Sequence, residues 1–109
     1  MNTDKGHRPP HSLDAEKSVL GAMLLDQELS VEALDGLNTN DFFDRKHRMI
    51  FQACRDLDSK NSVTDIVTVG EELSRKKNLE EAGGIEYLAS LTDDIPLLSN
   101  VLLYIRIIK

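Results

Sequence analysis

Chemistry in a chain of this kind has few places to reside. Three histidines, one cysteine, several adjacent acid pairs and two basic runs carry all the groups suited to catalysis, metal binding or phosphate contact. His7 and His11 flank Pro9-Pro10, which blocks the i, i+4 helical pairing that metals use, so the two rings read as solvated. Cys54 lies on an apolar stripe and reads as an inert small hydrophobe. No Ser or Cys stands in a local pattern with a histidine base and a third orienting group, as nucleophilic catalysis requires. The acid pairs Glu71-Glu72, Glu80-Glu81 and Asp93-Asp94 fall at caps and turns, where solvated or capping charge is their expected role. None of the glycines lies in a G-x-x-x-x-G-K-[ST] context, so the chain has no phosphate-cradling loop of that type.

The basic runs admit two readings. Arg45, Lys46 and Arg48 in "RKHR" form either a solvated helix face or a phosphate-contacting end of a small nucleic-acid-binding module. The overall balance favours the first: 13 basic against 19 acidic residues give a net charge of −6, which repels a phosphate backbone. His47 between them is expected to bond a neighbouring backbone group and fix the approach to a helix. Arg75, Lys76 and Lys77 fit the last turn of a helix, where cations complement its dipole.

The elements that must position these groups are helical. A chain of 109 residues with 40% apolar and 29% charged content is suited to one folded core. The run "VLGAMLL" is far short of the ~20 residues a membrane span needs. With no apolar leader in "MNTDKGHRPPHS" and a single cysteine, the expected compartment is the cytoplasm. Residues 1–11 read as a flexible arm, 12–95 as a helical globular domain, and 96–109 as an apolar helix.

Within that domain, Ser12 caps a first helix over 13–25 whose inward face is Leu13, Val19, Leu20, Met23 and Leu24. Gly21 in its middle implies close approach of another backbone. Ser30 caps a second helix with Val31, Leu34 and Leu37 inward, ended by Gly36 and Asn38. Ile50, Ala53, Cys54 and Leu57 at i, i+3, i+4, i+7 mark the clearest helix, with Phe42, Phe43, Met49 and Phe51 expected in the core. Thr68 and Glu71 form a capping box for a helix that buries Val69 and Leu73. Gly83 or Gly84 takes positive φ before a helix with Ile85, Leu88 and Leu91 on one face. Pro96 opens the last segment, "NVLLYIRIIK", which is apolar on every face and therefore lies inside the core or awaits a partner. Tyr104, Ile105 and Ile108 are the residues expected to make an intermolecular contact.

The order of these pieces resembles the N-terminal domain of replicative DNA helicases of the DnaB family. "PPHSLDAEKSVLGAMLLD" matches the family's opening of Pro, acidic residue, Ala, Glu and a "VLG" helix. Asp41-Phe42-Phe43, His47 and Ile50-Phe51 follow, then "DIVTVGEEL" with Asp65, Thr68 and Leu73, then "GGIEYLASL" with Gly83 and Gly84. "NTNDFF" departs from the commoner Pro-containing approach, and the C-terminal segment is more apolar than the family usually shows.

The resemblance implies an all-α bundle of about five to six short helices, with Gly21, Asp41, Phe42, His47, Phe51, Asp65, Thr68, Leu73, Gly83 and Gly84 as scaffold. It implies no catalytic residue, metal or cofactor in this chain, the parent's ATP and magnesium belonging to a separate RecA-like domain. It further implies partners: other helicase copies within a hexamer, primase, and a helicase loader. The last helix would lead into a helical hairpin that pairs such domains.

Overall fold

The computed structural model describes residues 11–93 and 98–109, and among these the regular structure is helical throughout. The expected arm and Pro96 fall outside the described residues, apart from His11. The order is α1 (His11–Leu25), α2 (Gln27–Gly36), a 3-10 turn (Thr39–Asp41), α3 (Arg45–Ser59), α4 (Ile66–Arg75), α5 (Gly84–Ser90) and α6 (Leu98–Ile108). The radius of gyration, 13.4 Å, is that of a folded domain of about 100 residues.

α1 is the central strut, packed against α2, α3 and α6, while α4 and α5 form a second layer carried by α3. Val19, Leu20, Met23 and Leu24 are buried along α1, and Ile50, Phe51, Ala53, Cys54 and Leu57 along α3, as helical periodicity predicts. Phe42 and Phe51 meet with ring centroids 4.8 Å apart. Phe43, expected beside them, is 59% exposed, because adjacent residues in extended backbone point to opposite sides. Val31 and Ile85, also expected inward, are largely exposed.

The helix starts were only partly foreseen. α1 already includes Ser12, so that residue is helical and not a cap. α2 is capped four residues earlier than expected, with Asp26 accepting from the N–H groups of Glu28 (2.9 Å) and Leu29 (3.2 Å). Ser30 is consequently buried inside the helix. α4 is capped one box earlier than expected. The Asp65 carboxylate accepts from Thr68 N–H and the Thr68 hydroxyl accepts from Asp65 N–H, both at 2.9 Å, so Thr68 is the third residue of the box and not its first. Arg75 does end α4, but Lys76 is its cap residue and Lys77 lies beyond it at φ +62°.

Two close approaches use glycine. A Cβ on Gly21 would lie 1.9 Å from the Leu91 carbonyl oxygen, so the backbone after α5 rests directly on α1, as expected. A Cβ on Gly70 would lie 2.6 Å from Ile85 Cδ1, which lets α5 sit against α4. Gly83 and Gly84 both adopt positive φ, +106° and +78°, in the turn into α5.

Candidate contact surface and the polar network behind it

A buried polar string joins α1, α3 and α5. Glu16 and His47 are both fully enclosed, although a charged side chain is almost never buried without partners. The Glu16 carboxylate accepts from the backbone N–H of Phe43 (2.6 Å) and Asp44 (3.4 Å), and from His47 Nδ1 (2.7 Å). These amides lie at the entry to α3, where the helix dipole favours an anion. With its proton on Nδ1, His47 accepts at Nε2 from the Tyr87 hydroxyl, 2.6 Å away. Burial pushes the Tyr87 phenol above its ordinary value, and the charges of Asp44 and Glu16 push the same way, so the hydroxyl keeps its proton.

Carboxylate, imidazole and hydroxyl thus occur in the order of a catalytic triad. The chemistry differs. The hydroxyl belongs to a tyrosine whose ionisation is suppressed, and the Glu16 carboxylate is shared with backbone amides. The string holds three helices in register and presents no activated nucleophile to solvent. His47 therefore does fix the approach to α3, through a carboxylate and a phenol and not through the backbone group expected from sequence.

The rest of "RKHR" is engaged within the chain. Arg45 pairs with Glu81 at 3.3 Å, and the Lys46 ammonium lies 4.2 Å from the centre of the Tyr87 ring. Arg48 donates to the carbonyls of Phe42 (3.0 Å) and Phe43 (2.8 Å). Arg45 keeps to the solvated helix face expected from sequence, its side chain 72% exposed beside a half-exposed Glu81, whereas Lys46 and Arg48 are half-buried against the chain's own groups. Glu72, read as a solvated or capping charge, is likewise buried, surrounded by Lys60 (3.0 Å), Arg75 and Lys76 (3.6 Å). Cys54 is enclosed and burial pushes its thiol up to about 12, which suppresses the reactive thiolate.

The remaining scaffold residues take structural positions. Asp41 accepts from Asn38 N–H at 2.8 Å and closes the 3-10 turn, and Leu73 is buried on the inner face of α4. Ile105 and Ile108 do not face a partner. With Val101 they form the inner stripe of α6 at i, i+4, i+7 and are buried in this chain's own core, where Tyr104 packs partly against them. The outward residues are Leu102, Leu103 and Ile107, exposed by 39%, 49% and 42%. Beside them α2 contributes Val31, and a groove of about 580 Å³ is lined by Asp26, Gln27, Glu28, Leu29, Val31, Glu32 and Leu102. The helix ends nearby are satisfied internally, Arg55 donating to the carbonyls of Leu34 and Leu37, and Lys109 to that of Gly36.

The chain is an all-helical domain whose buried polar groups brace one helix against another. Residues 8–109 match the DnaB-like helicase N terminal domain, and the chain belongs to that family. It is 41% identical over 104 residues to the replicative DNA helicase DnaB of Treponema pallidum (strain Nichols), covering 95% of this chain and 24% of that protein. The corresponding protein of Geobacillus stearothermophilus is 41% identical over 101 residues, 93% of this chain and 22% of its own length. The chain therefore spans about a quarter of the relatives it matches. The crystal structure of the N-terminal domain of DnaB helicase from Mycobacterium tuberculosis superposes with a TM-score of 0.85 at 37% identity, over 93% of this chain and 72% of that one.

Proposed function

We propose that this domain organises the ring of a hexameric replicative helicase and serves as a docking surface for primase, while a separate ATPase domain of the parent protein unwinds DNA. In this reading ATP and magnesium act on that other domain, and the residues described above supply contact and geometry only. Other helicase copies are the first partners, with primase and a helicase loader as further ones.

The observation that carries the reading is the outer face of α6. Leu102, Leu103 and Ile107 are exposed, with Arg106 among them, on the outside of a helix whose inner face is already in the core. Clustered exposed apolar side chains favour association. Of the cations that would otherwise support a DNA-binding reading, Arg48 is held by two backbone carbonyls and Arg45 lies beside Glu81, while the net charge of −6 opposes a phosphate backbone. No helix among the described residues is long and apolar enough to cross a membrane.

Two measurements on the full-length helicase test the proposal. Deleting this domain should abolish stimulation by primase while leaving nucleotide hydrolysis by the remainder, and retained stimulation would refute docking. Leu103→Asp combined with Ile107→Asp should shift the hexamer towards smaller species in sedimentation, and an unchanged distribution would refute the role of this face in assembly.

A further inference from the structure

We propose that the groove between α2 and α6 receives one amphipathic helix of a partner protein, apolar on the inserted face and flanked by Lys and Arg. This deepens the docking reading above and rests on it, but its assay requires neither a ring nor primase.

The groove combines an apolar floor with a rim of one charge sign. Leu29, Val31 and Leu102 supply the floor, and Asp26, Glu28 and Glu32 the rim, with no basic residue in the lining. Asp26 has a local role, since one carboxylate oxygen caps α2. Glu28 and Glu32 do not share it. They stand at i, i+4 on the same helix, a like-charge arrangement that weakens an isolated helix by about 0.2–0.5 kcal/mol. Among the ion pairs of the described residues neither carboxylate has a partner, whereas the buried Glu72 has three cations around it. Among the described residues the fold thus gathers carboxylates without ion-pair partners around exposed aliphatic side chains.

The shape favours a helix as occupant. From Asp26 to Glu32 the lining follows α2 for about 9 Å at ~1.5 Å per residue, which matches anchors spaced i, i+3 or i+4, and i+7 on an inserted helix. The charge selects its chemistry. A second copy of this chain carries the same acidic rim and a net charge of −6, so self-pairing through the groove would oppose like charges. A partner with basic flanks converts that repulsion into attraction while its aliphatic face covers Leu29, Val31 and Leu102.

The test uses two fluorescein-labelled helical peptides with an identical leucine face, one flanked by lysines and the other by glutamates, titrated with the 109-residue chain and followed by fluorescence polarisation. The lysine peptide should bind at least about tenfold more tightly than the glutamate peptide, and raising the salt should narrow the gap. Val31→Asp with Leu102→Asp should remove binding of the lysine peptide. Glu28→Lys with Glu32→Lys should invert the preference, whereas an equal charge change at the exposed Glu71 and Asp93 should leave it in place. All these side chains except that of Leu29 are exposed, and a circular-dichroism melt of each variant serves as the check that it folds. Absence of binding, a preference that survives the groove variants, or equal sensitivity to the distant pair would overturn the proposal. So would a self-associating chain that Leu102→Asp turns monomeric in sedimentation, since the occupant would then be a second copy.

Discussion

Glu16→Ala isolates the energetic role of the buried network. The native carboxylate satisfies two backbone N–H groups at the entry to α3 and the Nδ1–H of His47. Hydrogen bonds to a charged group contribute about 1.5–3 kcal/mol each, so the two short ones, from Phe43 N–H and His47 Nδ1–H, carry most of the loss. The Asp44 contact is long at 3.4 Å and adds little, and Phe43 lies near solvent, so its amide can recover a water. The expected loss is therefore about 3–5 kcal/mol, a large share of the ~5–15 kcal/mol typical of a domain.

Urea denaturation followed by circular dichroism measures this loss, and a thermal melt should fall by on the order of 15–20 °C. Glu16→Gln should cost less than Glu16→Ala, because its amide oxygen replaces one acceptor. The His47→Ala and Glu16→Ala cycle should show a coupling of about 1–3 kcal/mol. A Glu16→Ala loss below about 0.5 kcal/mol, or additivity within that margin, would refute the claim that this carboxylate ties α1 to α3.

Glycine substitutions should separate close approach from backbone strain. Gly21→Ala drives a methyl into the Leu91 carbonyl and should cost at least the ~1–3 kcal/mol of overpacking, whereas Gly84→Ala meets no atom within 4 Å and should cost about 1–2 kcal/mol from its positive φ alone, both read by urea titration. Ile105→Asp should unfold or severely destabilise the chain in a thermal melt, while Leu103→Asp should leave the melting point within a few degrees, because only the first places a carboxylate in the core. Cys54 should resist an aromatic disulfide reagent in the native state and react at the rate of unfolding, seen as a labelling rate that rises with urea. The Cys54 and Tyr87 pKa values are both raised on folding, so the native state holds those protons more tightly. Their stabilisation should be complete below about pH 9 and decline as pH rises from there through about 12, measured by urea midpoints across that range.

Much of the architecture was legible because helices bury one stripe. The stripe from Ile50 to Leu57 gave α3, and the position of Gly21 disclosed a backbone contact later found at Leu91. Cap positions were less legible, since Asp26 and Ser30, or Asp65 and Thr68, can all accept from an amide. Which one does so depends on where the chain enters the helix. Glu16 lay in the quoted family pattern, yet nothing in its local sequence marks it as buried. Its partners are 27 to 31 residues away, and only the packing of α1 on α3 unites them. Glu72 has local cations in Arg75 and Lys76, but its burial depends on the packing of α4 on α3, whose end also brings in Lys60.

The last helix shows where periodicity loses its power and why that bears on function. On an amphipathic helix the polar residues identify the outer face, but from Val101 to Ile108 only Tyr104 and Arg106 interrupt the aliphatic series. Sequence says that some face must be covered, but not that the core takes Ile105 and Ile108, two of the residues expected at a contact. Packing on α1 and α2 selects Val101, Ile105 and Ile108 for the interior, leaving Leu102, Leu103 and Ile107 outside. The same excess of aliphatic residues therefore does two things: one stripe closes the core, and the other has no counterpart among the described residues of this chain. A helix that needed only the first role could carry polar residues at the outer positions with no loss of core packing, so the outer aliphatics are the part of α6 that intramolecular stability does not account for.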